Sequence, residues 1–334
     1  MNKKSNIRIS IGDLIPVIAF VVVFLFFTIA SKGKMLTAFN MKMILTQSMQ
    51  VIILGSGMLF VVAQGSIDLS VGVNIAVSGI LANYFANSTG QPFLLFPVAL
   101  LIGLVIGIFN GFIVSKCHVP SFLVSIAMLI GMRGLANYLL TTLNTAYVQF
   151  LPGALRFMTK SSFQIPLFFA VLIIVAYVFE YTRVGYYCKA IGENEVNAKF
   201  IGIPVTRMKW TAFAISGLLA GVGALFSLSS VGGTSMQMGA FMEMKTAMAI
   251  FFGGVLVTGG SSAKFYKLIL GALTITIIIN GLALINLSDS QISESVEGVL
   301  LLLILFLTIL ANRRGSAHHA AKQETAEPNE LPQN

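Results

Sequence analysis

Residues 93–142 read FLLFPVALLIGLVIGIFNGFIVSKCHVPSFLVSIAMLIGMRGLANYLLTT. Two apolar runs, 93–115 and 121–142, flank a short turn, Lys116-Cys117-His118-Val119-Pro120. A helix crosses a bilayer with about 20 predominantly apolar residues. Both runs reach that length, and Arg133 is the only charge inside either. This stretch reads as two membrane helices joined by a tight turn.

The composition extends the reading to the whole chain. Of 334 residues, 56% are hydrophobic and only 10% are charged, whereas soluble domains carry about 25% charged residues. Ten spans would use about 200 residues and leave about 130 for loops and tails. Apolar runs occur at 14–30, 44–63, 69–86, 93–115, 121–142, 164–181, 211–230, 246–258, 268–287 and 296–311. The expected fold is an all-α polytopic membrane protein of about ten transmembrane helices, in contact with membrane lipid throughout. The third run carries Asn74 and Asn83 and the eighth is short, so these two are candidates for broken or re-entrant segments. The first run follows Lys3, Lys4 and Arg8, a pattern shared with signal peptides. It is longer than a signal's usual apolar region and no small-x-small site precedes Lys32, so a retained span is expected.

The 21 Lys and Arg residues form no basic run with interleaved aromatics, so the net charge of +9 implies no nucleic-acid partner. Their distribution instead orients the chain. With the N-terminus inside, fourteen fall in inner loops, including Lys116, Arg183, Lys189, Lys199, Arg207 and Lys209, and six in outer loops, with Arg133 inside a span. The bias toward basic cytoplasmic loops places both termini in the cytoplasm. Asp289, Glu294 and Glu297 then fall in an outer loop. Residues 1–13 form a cytoplasmic N-terminal segment, 14–311 the transmembrane domain, and 312–334 a disordered cytoplasmic tail, polar and without apolar periodicity. Cys117 and Cys188 have neither zinc-type nor disulfide-framework spacing and read as free thiols on the reducing side.

Little here supports catalysis. The chain lacks G-x-x-x-x-G-K-[ST], H-E-x-x-H and G-x-S-x-G, so no phosphate loop, zinc protease site or nucleophile elbow is present in sequence. Two of its three histidines, His318 and His319, are adjacent in the polar tail and read as filler rather than metal ligands. No catalytic residue, metal ligand or cofactor is expected on this chain. Ion-coupled transporters place ionisable groups in the bilayer, yet Asp13, Glu180 and Glu243 lie at run edges and Asp68 lies between two runs. This argues against proton coupling and less strongly against sodium coupling, which backbone carbonyls can support.

The longest inner loop, 182–209, is the most informative. Asn194 is a good N-cap, Glu195 and Lys199 stand four apart in the favourable order, and Val196 and Phe200 form an apolar stripe. Gly202 and Pro204 supply a stop. A short helix over 195–201 is expected, too short to be stable alone. From the residues, it rests either on the membrane surface or on a cytoplasmic subunit. In the fourth and seventh runs, Gly103, Gly107, Gly111, Gly217 and Gly221 let helices approach closely, inside one subunit rather than at a dimer seam. Asn74, Asn110, Asn137 and Asn280 either line a path for a hydroxyl-rich solute or bond between helices, and Asp68 either joins that path or caps the third run.

Four ordered segments resemble the permease subunits of bacterial ABC importers for ribose, xylose, arabinose and galactosides. They are IDLSVG at 67–72, GLVIGIFNGFIVSKCHVPSFLVSIAMLIGMRGLA at 103–136, KAIGENEVNAKFIGI at 189–203 and AISGLLAGVGALF at 214–226. The resemblance, from about residue 40 to 312, implies an inner-membrane permease of about ten helices working as a homo- or heterodimer with a second permease. It also implies a cytoplasmic ATPase carrying ATP and Mg, an extracytoplasmic solute-binding protein, and a monosaccharide or other small polar solute. By the same resemblance, Gly192, Asn194, Glu195, Ala198 and Gly202 match an ATPase-coupling loop, with Lys199 and Phe200 beside them. Two segments depart from the family pattern, FFGGVLVTGGSSAK at 251–264 and MEMKTAMAI at 242–250. The alternative reading is a secondary transporter or facilitator that acts without an ATPase.

Overall fold

The computed structural model describes residues 11–143 and 149–287, with part of 295–310. The helices are α1 (Ile11–Ala30), α2 (Ala38–Ala63), α3 (Val71–Ser88), α4 (Leu95–Lys116), α5 (Ser121–Thr142), α6 (Ser161–Tyr181), α7 (Arg183–Glu193), α8 (Glu195–Phe200), α9 (Val205–Val231), α10 (Met242–Phe252) and α11 (Phe265–Leu284). Their starts follow local chemistry. The Thr37 side chain accepts from the Asn40 N–H at the head of α2, satisfying one of the free donors of a helix N-terminus. Pro120 and Pro204 stand immediately before α5 and α9.

Six helical segments, not ten, are long and apolar enough to cross a membrane among the described residues: Ala38–Ala63, Pro92–Lys116, Ser121–Thr142, Ser161–Tyr181, Val205–Val231 and Phe265–Leu284. The expectation of ten fails for particular reasons. The apolar part of α1, Leu14–Ala30, is short. In α3, Asn74, Ser78, Asn83 and Asn87 dilute the apolar surface, and the helix is buried on most of its residues. The eighth run folds as the eleven-residue α10 and then turns at Gly253 and Gly254. The tenth run is described only in part. Lys3, Lys4, Arg8, Asp289, Glu294, Glu297 and the 312–334 tail with His318 and His319 lie outside the described residues.

Two apolar clusters hold the bundle. One joins α2 to α6, α10 and α11 through residues such as Phe60, Phe179, Phe252 and Leu268, with Phe60 and Phe179 edge to face at 5.0 Å. The other joins α3, α4, α5 and α9 through residues such as Ile75, Ala99, Ala136 and Leu228. The longest contact runs between α4 and α9, and α2 touches helices of both clusters. At that contact the glycines of α4 face those of α9 within one chain: a Cβ on Gly217 would lie 2.7 Å from Gly107 Cα.

Candidate functional site

Two sets of candidate residues lie near the C-terminal end of α2, and each bonds the N-terminal half of α9. The first lies where α2 passes into α3. Asp68 is 1% exposed. One of its carboxylate oxygens accepts from the Ser70 N–H at 3.0 Å and the Ser70 hydroxyl at 2.6 Å. The other accepts from the Ser216 hydroxyl of α9 at 2.8 Å. Ser70 Oγ in turn accepts from Asn110 Nδ2 of α4 at 2.8 Å. One turn further along α3, Asn74 donates to Gly103 O at 3.2 Å and accepts from the Ser78 hydroxyl at 2.9 Å. Asp68, Asn74 and Asn110 thus meet in one buried junction of α3, α4 and α9, and Asn110 Oδ1 has no partner there.

The other two asparagines lie elsewhere. Asn137 is on the exposed face of α5, and Asn280 is buried on α11 with its Oδ1 unpartnered. Neither the Ser70 nor the Ser216 contribution was legible in the sequence. Serines inside apolar helices look alike until a partner from another helix is known.

The second set lies at the same C-terminal end of α2, where Ala63 and Gln64 receive it. The 182–209 stretch contains two helices, α7 and α8, rather than the single short helix expected over 195–201. The missed signal is the amphipathic spacing of Val184, Cys188 and Ile191 in α7, of which Cys188 and Ile191 are buried. Tight packing docks α7: a Cβ on Gly192 would come within 2.5 Å of Gly260 N and would overlap Ala63 O at the end of α2. Gln64 Nε2 donates to Cys188 Sγ at 3.0 Å and to Met208 O at 2.9 Å. Burial pushes the Cys188 thiol up to about 11, so it is a poor thiolate and a poor labelling target, whereas Cys117 is exposed.

On the other side of α7, Glu180 accepts from Lys189 Nζ and from the Phe265 N–H, both at 2.6 Å. Glu193 accepts from the Ser261 N–H at 2.6 Å. These bonds with Ser261 hold the Glu193 carboxyl below its ordinary value of 4.5. A carboxyl lowered by folding stabilises the fold above its unfolded value, and that contribution is lost as pH falls through the folded value. Acidification below about pH 4.5 is therefore expected to loosen the contact between α7 and the 260–262 turn. Glu193→Gln should flatten that part of the thermal unfolding profile, and an unchanged acid limb in the variant would contradict the assignment.

α8 is capped as expected, with Asn194 Oδ1 accepting from the Asn197 N–H at 2.9 Å. It ends at Gly202 in the left-handed region at φ 86°. The expected Glu195–Lys199 pair is replaced: Glu195 bonds Lys209 of α9 at 2.8 Å. Ala198 is buried against Ile191 and Ile203. The opposite face is bare, with Phe200 85% and Ile201 76% exposed and Val196 also exposed. Gly192, Asn194, Glu195 and Ala198 therefore shape and fasten the element, while Phe200 projects from it.

No cluster of three or more His, Cys, Asp and Glu suited to a metal ion occurs among the described residues.

The ribose import permease of Haemophilus influenzae is 29% identical to this chain over 266 residues, covering 75% of this chain and 79% of its own length. The fructose import permease FruG of Bifidobacterium longum is 26% identical over 264 residues, covering 74% and 77%. The xylose transport system permease of Escherichia coli is 26% identical over an alignment of 376 residues, covering 93% and 94%. A family profile described as "Branched-chain amino acid transport system / permease component" matches residues 40–309. With that match over most of its length, this multi-pass membrane chain belongs to the family of permease components of branched-chain amino acid transport systems, and within it is related to sugar-import permeases.

Proposed function

We propose that the chain is the transmembrane permease subunit of an ATP-driven importer in a bacterial inner membrane, with a monosaccharide as its solute. The observation that carries the proposal is the bare apolar face of α8, presented on a helix pair clamped to the end of α2. A short helix with Phe200 and Ile201 in solvent is unfavourable unless something covers it. The linkage behind it leads by direct contacts into α2, α9 and α11, which suits an element that receives force from a partner ATPase. The reading further places residues 182–209 and both termini in the cytoplasm and pairs the chain with a second permease, identical or related. A solute-binding protein delivers the sugar outside. ATP binding and hydrolysis stay on the partner, and the permease alternates between outward- and inward-open states. In that cycle the Asp68, Asn74 and Asn110 junction marks where α3, α4 and α9 shift relative to one another. Sugar is favoured over the amino acids of the family description because the relatives above are named for ribose, fructose and xylose.

Reconstitution with and without the ATPase tests the assignment: uptake should require it, and flux through this chain alone would refute it. The docking face has its own test. Because Phe200 buries little within the chain, Phe200→Ala should leave the unfolding temperature unchanged yet sharply reduce uptake and ATPase co-purification. Normal uptake by this variant would remove α8 from the interface. Charge reversal of Glu195 alone should weaken the assembly, and adding Lys209→Glu should restore it. Exposed ion pairs contribute only ~0–1 kcal/mol, so the fold itself should survive both changes.

A further inference from the structure

We infer that a neutral, hydroxyl-rich solute of about one sugar ring binds in the cavity between the middle of α2, the last two turns of α9 and the 232–241 segment. The inference deepens the importer reading and rests on it. The cavity has a volume of about 240 Å³. That is room for about eight waters at ~30 Å³ each, and it lies below the ~300 Å³ at which pockets for drug-sized ligands begin. A single ring fits.

The lining chemistry selects the solute. Gln50 from α2, Ser227 and Ser230 from α9, and Ser235 and Gln237 from the connecting segment supply its polar side chains. Among the described residues, no Asp, Glu, Lys or Arg lines it. Ser230 spends its hydroxyl proton on the Phe226 and Ser227 carbonyls at 2.9 and 3.0 Å, so its oxygen faces outward as an acceptor. The Gln50 and Gln237 amides each offer donors and an acceptor. This alternation of donors and acceptors matches hydroxyl groups, which do both. A zwitterionic amino acid would leave an ammonium and a carboxylate without counter-charges, and burying unpaired charge is strongly unfavourable. The same argument excludes sugar phosphates.

The wall is fixed rather than loose. Arg133 of α5 donates to Met238 O at 2.9 Å, and a Cβ on Gly79 of α3 would lie 3.1 Å from Met238 Sδ. On the same side, a Cβ on Gly72 would lie 2.7 Å from Gly239 O. The 232–241 segment is therefore pressed onto α3, whose first turn belongs to the Asp68 junction. A shift of α3 would move the cavity wall with it.

The experiment uses the full chain in lipid nanodiscs with Cys117→Ser as the background. Gln50→Cys and Ser227→Cys are introduced separately, and maleimide labelling is followed with and without added solute. The panel comprises pentoses, hexoses, pentitols, leucine and a hexose phosphate. A bound solute slows labelling by the factor 1 + [L]/Kd, about tenfold at a concentration ~10 times Kd. At least one neutral monosaccharide or pentitol should protect both positions, while leucine and the phosphate protect neither. Protection by leucine or by the phosphate, or by nothing in the panel, overturns the inference. ATPase-dependent uptake combined with unprotected cysteines would refute this site alone, whereas ATPase-independent flux would refute the importer reading itself.

Discussion

Replacing Asp68 by Ala is expected to lower the unfolding temperature of the chain in nanodiscs by several degrees and to abolish uptake. The carboxylate takes three donors from two elements, the Ser70 N–H, the Ser70 hydroxyl and the Ser216 hydroxyl, in a site closed to solvent. Removing it strands those donors at ~1–3 kcal/mol each. Because Ser216 and Ser70 partly rearrange, the net loss should be about 3–5 kcal/mol. Asp68→Asn keeps an acceptor for Ser70, and the Ser216 hydroxyl can turn to accept from the new amide. That variant should therefore lose about 1 kcal/mol and keep measurable uptake. Equal stability of the Ala variant and the wild type would show that the junction is not a fastening point. An Asn variant as damaged as the Ala variant would show that the charge, rather than the hydrogen bonds, is what matters there.

The second large effect is expected at the α4–α9 contact. A Cβ on Gly217 would overlap Gly103 O and lie 2.7 Å from Gly107 Cα and 2.8 Å from Gly107 N. These are backbone atoms, so no side-chain rotation relieves the clash and the two helices must separate. Overpacking of this kind costs about 1–3 kcal/mol and occasionally more, so Gly217→Ala should be clearly destabilised and Gly217→Val should fail to accumulate. The control is internal. Gly131 and Gly134 on α5 have no other atom within 4 Å of an added Cβ. There, Ala should be neutral or stabilising by up to ~1 kcal/mol through helix propensity. Thermal unfolding of the three Ala variants decides the matter, and similar behaviour at Gly217 and Gly131 would refute the intimate α4–α9 packing.

The division between legible and illegible features follows the range of the forces. The α8 helix was legible to within a residue because its signals are local: a cap at Asn194, a stop at Gly202 and an apolar stripe between them. Its ion pair was not, since Lys209 competes with Lys199 for Glu195 from the next helix. α7 had a legible apolar spacing, but its role depends on Gly192 meeting Gly260 and Ala63, a contact no local pattern encodes. Similarly, Asp68 was marked as unusual by its charge, but its partner Ser216 stands 148 residues away.

The span count shows the same limit from the side of hydropathy. Composition measures how apolar a segment is, not what surrounds it. α3 tolerates Asn74, Ser78 and Asn83 because each finds a polar partner inside the protein rather than lipid: Gly103 O of α4, Asn74 Oδ1 and Phe150 O respectively. Sequence by itself determined the solvent, the helical class, the local caps and the small residues where helices can meet. The tertiary structure decided which glycines meet, which donors reach Asp68 and where a cavity remains between α2 and α9. The physical reason is that hydrophobicity and helix capping act over a few residues, whereas packing and buried hydrogen bonds are settled by partners that only the folded chain brings together.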